Sequence, residues 1–380
     1  MEELRGFSKV KHFFKKEAVL CIAFFCALGS MVLVPPDGAY WGYLDLRVLA
    51  LLFCLMLVVA GLEDCGLFAV LAQRLLAGRR RFRALCLVLV LLPFFSSMLI
   101  TNDVALLTFV PFAILVLDLI GRKKELPYVV VLQTVAANLG SMAMPVGNPQ
   151  NLFLCSKFSI PMGDFFAAML PLAAVSLAGL ALAALGTGGA VIQVEFHDTQ
   201  TIGKPRQLRL MAGLFALSLL SVFRVVHYGV LLAAVVLSAL LWARPLLKRV
   251  DYALLATFVC FFIFSGNLGR IPAVRDFLAG ALEGRAALTS ALTSQVISNV
   301  PAAVLLSGFT RDWRGLLVGT NLGGLGTPIA SLASLISLKL YARSPEARMG
   351  RYLGLFFAAN LAGLLVLAGA QFLLGGLGHG

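Results

Sequence analysis

Ala137-Asn138-Leu139-Gly140-Ser141-Met142-Ala143-Met144-Pro145-Val146-Gly147-Asn148-Pro149 and Thr320-Asn321-Leu322-Gly323-Gly324-Leu325-Gly326-Thr327-Pro328-Ile329-Ala330 are two versions of one pattern. In each, Asn-Leu-Gly is followed by a Pro seven residues after the Asn. Each sits inside an apolar run long enough to span a bilayer. Gly and Pro at that depth free backbone groups that lipid cannot satisfy, so such backbone persists only where it is buried in protein or lines a polar cavity. Paired broken helices in corresponding halves of a chain point to the binding site of a secondary transporter.

The surrounding composition is that of a polytopic membrane protein: 60% of residues are hydrophobic and only 13% charged, about half the charged share of a soluble domain. A net charge of +13 could suggest nucleic acid. The basic residues instead cluster in short segments between apolar runs, at 9–16, 74–83, 122–124, 204–209, 244–249 and 339–351. Under the positive-inside rule these are cytoplasmic loops, and nucleic-acid binding is excluded. The seven cysteines fall mostly within apolar runs and show no metal-binding spacing, so they read as packing residues. The four histidines fall in loops or ends, which argues against zinc. The basic residues before the apolar run 18–34 imitate a signal peptide, but the run is long for one and is read as the first spanning helix.

Spanning helices are expected at 18–34, 46–62, 127–156, 164–185, 208–223, 229–243, 251–267, 315–340 and 352–374. The short segment 66–78 ends in a basic run and is placed at the interface. The run 286–310, bounded by Arg285 and Arg311, decides the topology. Two crossings need ~40 residues, and one would send the basic segment 339–351 to the wrong side. Two limbs reach ~17 Å each, roughly half the hydrocarbon core. It is therefore read as a re-entrant hairpin with Ser298-Asn299 at its tip. The run 84–118 is read the same way around Thr101-Asn102-Asp103. Its limbs nearly span, but Met98, Leu99 and Ile100 would crowd an outer loop.

With this layout most of the 31 Lys and Arg fall on one side. The expected architecture is an all-α polytopic membrane protein in the plasma membrane (the inner membrane of a bacterium), with a cytoplasmic N-terminus and an external C-terminus. It is an inverted-topology repeat of about five elements per half, with two re-entrant hairpins and two broken helices. Residues 1–194 form the first repeat, 195–228 a linker with a parity-inverting helix, and 229–380 the second, inverted repeat.

The chemistry is expected at the breaks and tips. Asn148 before Pro149 and Thr327 before Pro328 read as N-caps with Pro at N1. Asn102-Asp103 and Ser298-Asn299 begin the returning limbs. Four half-helix starts would then converge, favouring an anion through free N–H groups and dipole ends. Asn138 and Asn321 lie just before the breaks, and Gly147 is within the first. Side-chain amides, hydroxyls and unwound carbonyls supply oxygen ligands for a small cation, with Na⁺ at Asn102, Asp103, Ser298 and Asn299. Asp103 is the one carboxylate at a tip, where it can bind Na⁺, carry a proton or cap the limb 104–118. Gln150 and Asn151 fall in the first turn after the first break. Glu63 and Asp64 read as loop contacts or partners of the basic segment 74–83 rather than a gate, and Asp118 as an interfacial charge. No Lys or Arg falls at the midplane.

Ile100-Thr101-Asn102-Asp103-Val104-Ala105, Gly147-Asn148-Pro149-Gln150-Asn151, Ser298-Asn299-Val300-Pro301-Ala302 and Gly319-Thr320-Asn321-Leu322-Gly323 resemble the citrate-transporter-like branch of the ion transporter superfamily. That group includes arsenite permeases, NhaD-type sodium/proton antiporters and divalent anion/sodium symporters. The resemblance covers nearly the whole chain and implies two re-entrant hairpins, a homodimer and elevator-type alternating access. In the dicarboxylate symporters both tips read Ser-Asn-Thr and bind sodium and carboxylate. Here Asn102 and the Ser298-Asn299 pair match, whereas Asp103 and Val300 replace both threonines. The Thr-Asn-Asp tip is closer to the permease and antiporter branches.

The expected function is ion-coupled secondary transport of a small anion or oxyanion, such as citrate, a dicarboxylate or an inorganic anion. Na⁺ or H⁺ is the coupling ion, no cofactor is expected, and the partners are the solute, the lipid bilayer and a second copy of the chain. Arsenite or antimonite efflux and sodium/proton antiport are the alternatives. A channel is the reading from a different class, though the Asn-Pro-Ala signature of water channels is absent. Intramembrane protease motifs are lacking, so an enzyme is not expected. No Walker A motif is present, which argues against a self-contained ATP-driven pump but leaves a separate ATPase subunit open.

Overall fold

The computed structural model describes residues 18–76, 78–194, 201–344 and 347–376. The basic segment 9–16 and the start of the 195–228 linker lie outside the described residues. The first series of elements is α1 (Ala18–Leu33), α2 (Leu46–Asp64), α3 (Leu67–Leu76), β1 (Gly78–Arg81), α4 (Phe82–Ser96), α5 (Asn102–Leu119), α6 (Leu126–Ser141), α7 (Pro149–Lys157) and α8 (Met162–Leu185). Strand β2 (Val191–Val194) and helix α9 (Pro205–Val222) follow. The second series is α10 (Tyr228–Trp242), α11 (Tyr252–Gly269), α12 (Pro272–Leu282), α13 (Ala286–Ile297), α14 (Asn299–Leu306), α15 (Trp313–Leu322), α16 (Leu332–Ala342) and α17 (Met349–Gly376).

The chain is nearly, but not wholly, helical. Among the described residues, β1 and β2 pair antiparallel from Gly78 opposite Val194 to Arg81 opposite Val191. This ribbon ties the segment before the first hairpin to the one after α8, where the sequence predicted only loop. Helix α12 is a second departure. It starts on Pro272, carries Arg275 and Asp276, and exposes Phe277. It is too short and too charged to register as a span. Among the described residues, five helices are long and apolar enough to cross a membrane: α2, α5, α8, α11 and the stretch Met349–Leu373 of α17.

Both expected breaks are present. Helix α6 stops at Ser141, a 3-10 turn covers Pro145–Gly147, and α7 starts at Pro149. Helix α15 stops at Leu322 and α16 starts only at Leu332. Gly326, with φ +112°, lies in that gap in a conformation that L side chains rarely adopt. The second hairpin turns on one residue, Ser298, at φ +73°. Its second limb, α14, has 8 residues and rises only ~12 Å. The first hairpin uses a longer turn, and its second limb α5 has 18 residues.

The two series pack by the same rules. The first limb of each hairpin lies on the first half of its own broken helix, α4 on α6 and α13 on α15. The second limb of each lies on the second half of the other broken helix, α5 on α16 and α14 on α7. The glycines of the two Asn-Leu-Gly triplets mark the first contact. A Cβ on Gly140 would run into the backbone of Phe94, and one on Gly323 would lie 2.8 Å from Ala291 Cα. Phe94 precedes Asn102 by eight residues, and Ala291 precedes Asn299 by eight. The close approach is thus made at the same register in both series.

Glu63 and Asp64 close the far end of α2, and among the described residues their ion-pair partners lie outside the basic segment 74–83. Arg249 reaches Glu63 at 2.8 Å and Asp64 at 3.4 Å, and Lys204 reaches Asp64 at 2.7 Å. The reason is packing: α2 lies against α9, α10 and the 3-10 turn Arg244–Arg249, which brings those two cations to its end. Asp118 pairs with Lys123 at 2.8 Å.

Candidate functional site

Four helix starts meet at one small chamber. It is lined by Asn102 and Asp103 from α5, by Asn148, Pro149 and Gln150 at the start of α7, by Asn299 and Val300 from α14, and by Ser331 and Leu332 at the start of α16, with Leu254 of α11. The starts are built by local chemistry. Thr101, Asn148, Ser298 and Ser331 are the N-cap residues, and Pro149 fills N1 of α7. At both hairpin tips the Asn oxygen accepts from the next backbone N–H, Asp103 N at 3.0 Å and Val300 N at 2.9 Å.

Asparagines stitch the broken helices across the two series. Asn321 Nδ2 donates to Asn151 Oδ1 at 2.6 Å and to Leu317 O at 2.8 Å. Asn138 Nδ2 donates to Ser334 Oγ at 3.3 Å, and Ser331 Oγ donates to Asn138 Oδ1 at 2.9 Å. Asn148 Nδ2 donates to Ser141 Oγ at 2.6 Å and to Asn321 Oδ1 at 3.5 Å. Ser331 follows Asn321 by ten residues, as Asn148 follows Asn138, and Ser334 matches Asn151 in the same way. The bonds from α6 to α16 are therefore repeated from α15 to α7. The symmetry stops at the tips: Asn102 Nδ2 donates to Asn138 Oδ1 at 3.0 Å, whereas Asn299 is anchored through its backbone N–H to Ala330 O at 2.9 Å.

Several buried polar atoms at this chamber have no protein partner: Asp103 Oδ1, Asn148 Oδ1, and both Gln150 Nε2 and Oε1. A buried donor or acceptor without a partner costs about 1–3 kcal/mol, so such groups are rare unless a ligand or water is served. Among the described residues no Lys or Arg lines the chamber. The set offers acceptors for a small cation at Asp103 and donors, through Gln150 and the helix starts, for an anion.

Asp103, Pro149 and Leu254 also line a larger cavity of about 550 Å³ that runs past Thr101 to Glu63, Arg249 and Asp251. A second cavity of about 240 Å³, lined by Asp45, Lys157 and Ser307 among others, opens elsewhere along α14.

Of the residues singled out in the sequence, Asn102, Asp103, Asn148 and Asn299 line the chamber directly. Asn138 and Asn321 bond to its walls, and Ser298 lies behind Asn299. Thr101 faces the larger cavity. Gly147 is a packing position, where a Cβ would strike the carbonyls of Ser141 and Ser97. Thr327 does not cap a helix. Its N–H donates to Gln295 Oε1 at 2.9 Å and its hydroxyl to Gln295 O at 3.1 Å. These bonds hold it in the unwound segment, so the helix starts four residues later with Ser331 as N-cap. Asn148 holds the N-cap position but makes no side-chain cap bond, because its amide is turned to Ser141. Ser331, Ser334 and Gln295 were missed, as was the buried chain Thr134–Ser337–Tyr352 with contacts of 2.6 and 2.8 Å. Aligning the two series on Asn138 and Asn321 would have found Ser331 and Ser334.

A nearly all-helical chain with several helices apolar enough to span a membrane and a polar chamber between paired helix breaks defines a polytopic membrane transporter rather than an enzyme. The chain belongs to the citrate transporter family, CitMHS, whose model matches residues 14–310. It is 31% identical over 324 residues to the uncharacterized transporter MJ0456 of Methanocaldococcus jannaschii, covering 83% of this chain and 87% of that one. It is 32% identical over 321 residues to the inner membrane protein YbiR of Escherichia coli, covering 82% and 85%. A shorter match, 34% over 155 residues, is to the silicon efflux transporter LSI3 of Oryza sativa, covering 39% of this chain and 30% of that one. The fold is similar to that of the YdaH transporter of Alcanivorax borkumensis, with a TM-score of 0.52 at 16% identity over 90% of this chain and 87% of that one.

Proposed function

We propose that the chain is an ion-coupled secondary transporter that moves a small anion or oxyanion across the plasma membrane by alternating access. One observation carries this reading: four helix starts and a set of unpartnered polar atoms surround one chamber. Helix N-termini present free N–H groups and the positive dipole end, which attract an anion without a formal cation. Citrate, a dicarboxylate or an inorganic oxyanion fits that chemistry, and a relative named for silicon efflux keeps inorganic solutes in the range.

The Asp103 carboxylate takes the coupling ion, H⁺ or Na⁺, with the amide oxygens of Asn102 and Asn299 beside it. In this reading the N-terminus and the Glu63–Arg249 end face the cytoplasm, which the positive-inside distribution of the basic segments supports. The 550 Å³ cavity is then the inner approach to the chamber, and the interlaced hairpins and broken helices of two inverted repeats move together against the remaining helices in elevator-type alternating access, as a homodimer. Sodium/proton antiport is the second reading, favoured by the unpartnered Asp103 oxygen, whose residue lines one cavity with Asp251 and Glu63.

The test is charge movement in proteoliposomes on a solid-supported membrane. Citrate, succinate, sulfate, phosphate and arsenite are presented in turn, with Na⁺ or with a pH step only. A current that needs one solute and one coupling ion supports the proposal. Current from a cation gradient alone selects antiport. Solute flux that ignores both ions selects a channel.

A further inference from the structure

A cavity of about 360 Å³ lies behind α6, between α8 and α17. Val131, Val135 and Leu139 form its floor, a stripe along one face of α6, while Thr134 and Asn138 of the same helix bond to α16. Its mouth is formed by the exposed Gly179, Ala362 and Val366. The polar groups in its wall are already used. Tyr128 Oη donates to Ala183 O at 2.9 Å and Ser176 Oγ to Leu172 O at 2.7 Å. The occupant must therefore be apolar.

Its length and its charges say which apolar occupant. From Tyr128 to Leu139 the cavity follows α6 for ~17 Å, the depth of one leaflet of a ~30 Å hydrocarbon core. Lys124 lies four residues before Tyr128, and Arg351 four residues before Leu355, which also lines the cavity. Both bases thus stand about one helical turn beyond the same end. Their neighbours Arg122 and Lys123 are paired with Glu125 and Asp118; among the described residues, Lys124 and Arg351 form no ion pair.

We propose that this cavity holds one acyl chain of an anionic membrane phospholipid, with its phosphate at Lys124 and Arg351. The inference needs only the membrane-spanning fold, not the solute or the coupling ion. The lipid packs directly behind the helix that carries Asn138, so bilayer composition acts on a wall of the chamber.

Native mass spectrometry of the purified full chain, offered phosphatidylglycerol and phosphatidylcholine with identical acyl chains, tests it. The unmodified protein should retain one phosphatidylglycerol in preference to phosphatidylcholine. Lys124→Gln with Arg351→Gln should reduce that preference roughly fivefold per charge removed. Gly179→Phe should lower retention of both lipids, since a Cβ there meets nothing within 4 Å and the ring has room to fill the mouth. Equal retention of the two lipids by the unmodified protein overturns the proposal. So does an unchanged preference in the charge variant, or unchanged retention in Gly179→Phe. Because the readout is binding, any of these failures leaves the transport reading standing.

Discussion

Asn321 donates its side-chain amide to Asn151 Oδ1 at 2.6 Å, joining the first half of one broken helix to the second half of the other. Asn151 in turn donates toward the carbonyls of the first break, Met144 O at 3.3 Å among them. A single buried amide thus reaches from one break to its counterpart. Replacing Asn321 by Ala strands an acceptor on Asn151 and should destabilise the protein by about 1–3 kcal/mol. Melting curves in detergent check this, and the double variant with Asn151→Ala should be less than additive. Full additivity would show that the two side chains do not interact.

The tip asparagines carry the transport prediction. Asn102→Ala and Asn299→Ala should abolish solute-dependent current while the protein still inserts and purifies as the parent does. Normal uptake in both variants refutes their place in the site.

Asp103 should govern ion coupling. The Asp103→Asn side chain keeps the shape of the carboxylate but cannot bind or release a proton at that atom, so the pH dependence of transport should vanish. Asp103 does not cap α5, whose N-cap is Thr101, so an unchanged pH profile would leave it as a first-turn acid with no part in coupling.

The two hairpins should be reached from opposite sides. In a cysteine-free background, Thr101→Cys faces the cavity of Glu63 and Arg249, and Ser307→Cys faces that of Asp45 and Lys157. A membrane-impermeant thiol reagent should label the first only from the cytoplasmic side and the second only from outside. Labelling from the same side would sink the inverted arrangement.

Gly140→Ala and Gly323→Ala should both lose about 1–3 kcal/mol of stability, because the added methyl meets rigid backbone at Phe94 and Ala291. Gly213→Ala is the control, with nothing within 4 Å of its Cβ. Equal melting temperatures for all three variants would show that the close approach carries no weight.

Legibility in the sequence followed the physics of the backbone. Gly140, Pro145, Gly147 and Pro149 interrupt an apolar run, and any such interruption in lipid needs a protein-lined cavity. Asn138 and Asn321 announced themselves because a buried amide is rare and these two share a register. The hairpin 286–310 followed from length and charge together, since too few residues are present for two crossings and one would send the basic segment 339–351 to the wrong side. Ser331 and Ser334 were hidden because serines are ordinary in membrane helices, and α16 carries two with a third at its N-cap.

The sequence by itself determined that this is a membrane transporter of broken helices, because length, apolarity and the positions of Gly and Pro act locally on each segment. Only the tertiary structure decided which polar groups meet. It set the N-cap of α16 at Ser331 rather than Thr327, because Gln295 on a neighbouring helix holds Thr327 in the unwound turn. It paired Asn138 with α16 and Asn321 with α7, because each broken helix is completed by the second half of the other. It gave Arg249 and Lys204 to Glu63 and Asp64, because packing around α2 brought those cations to its end. Partner choice depends on contacts between distant segments, and no local pattern encodes it.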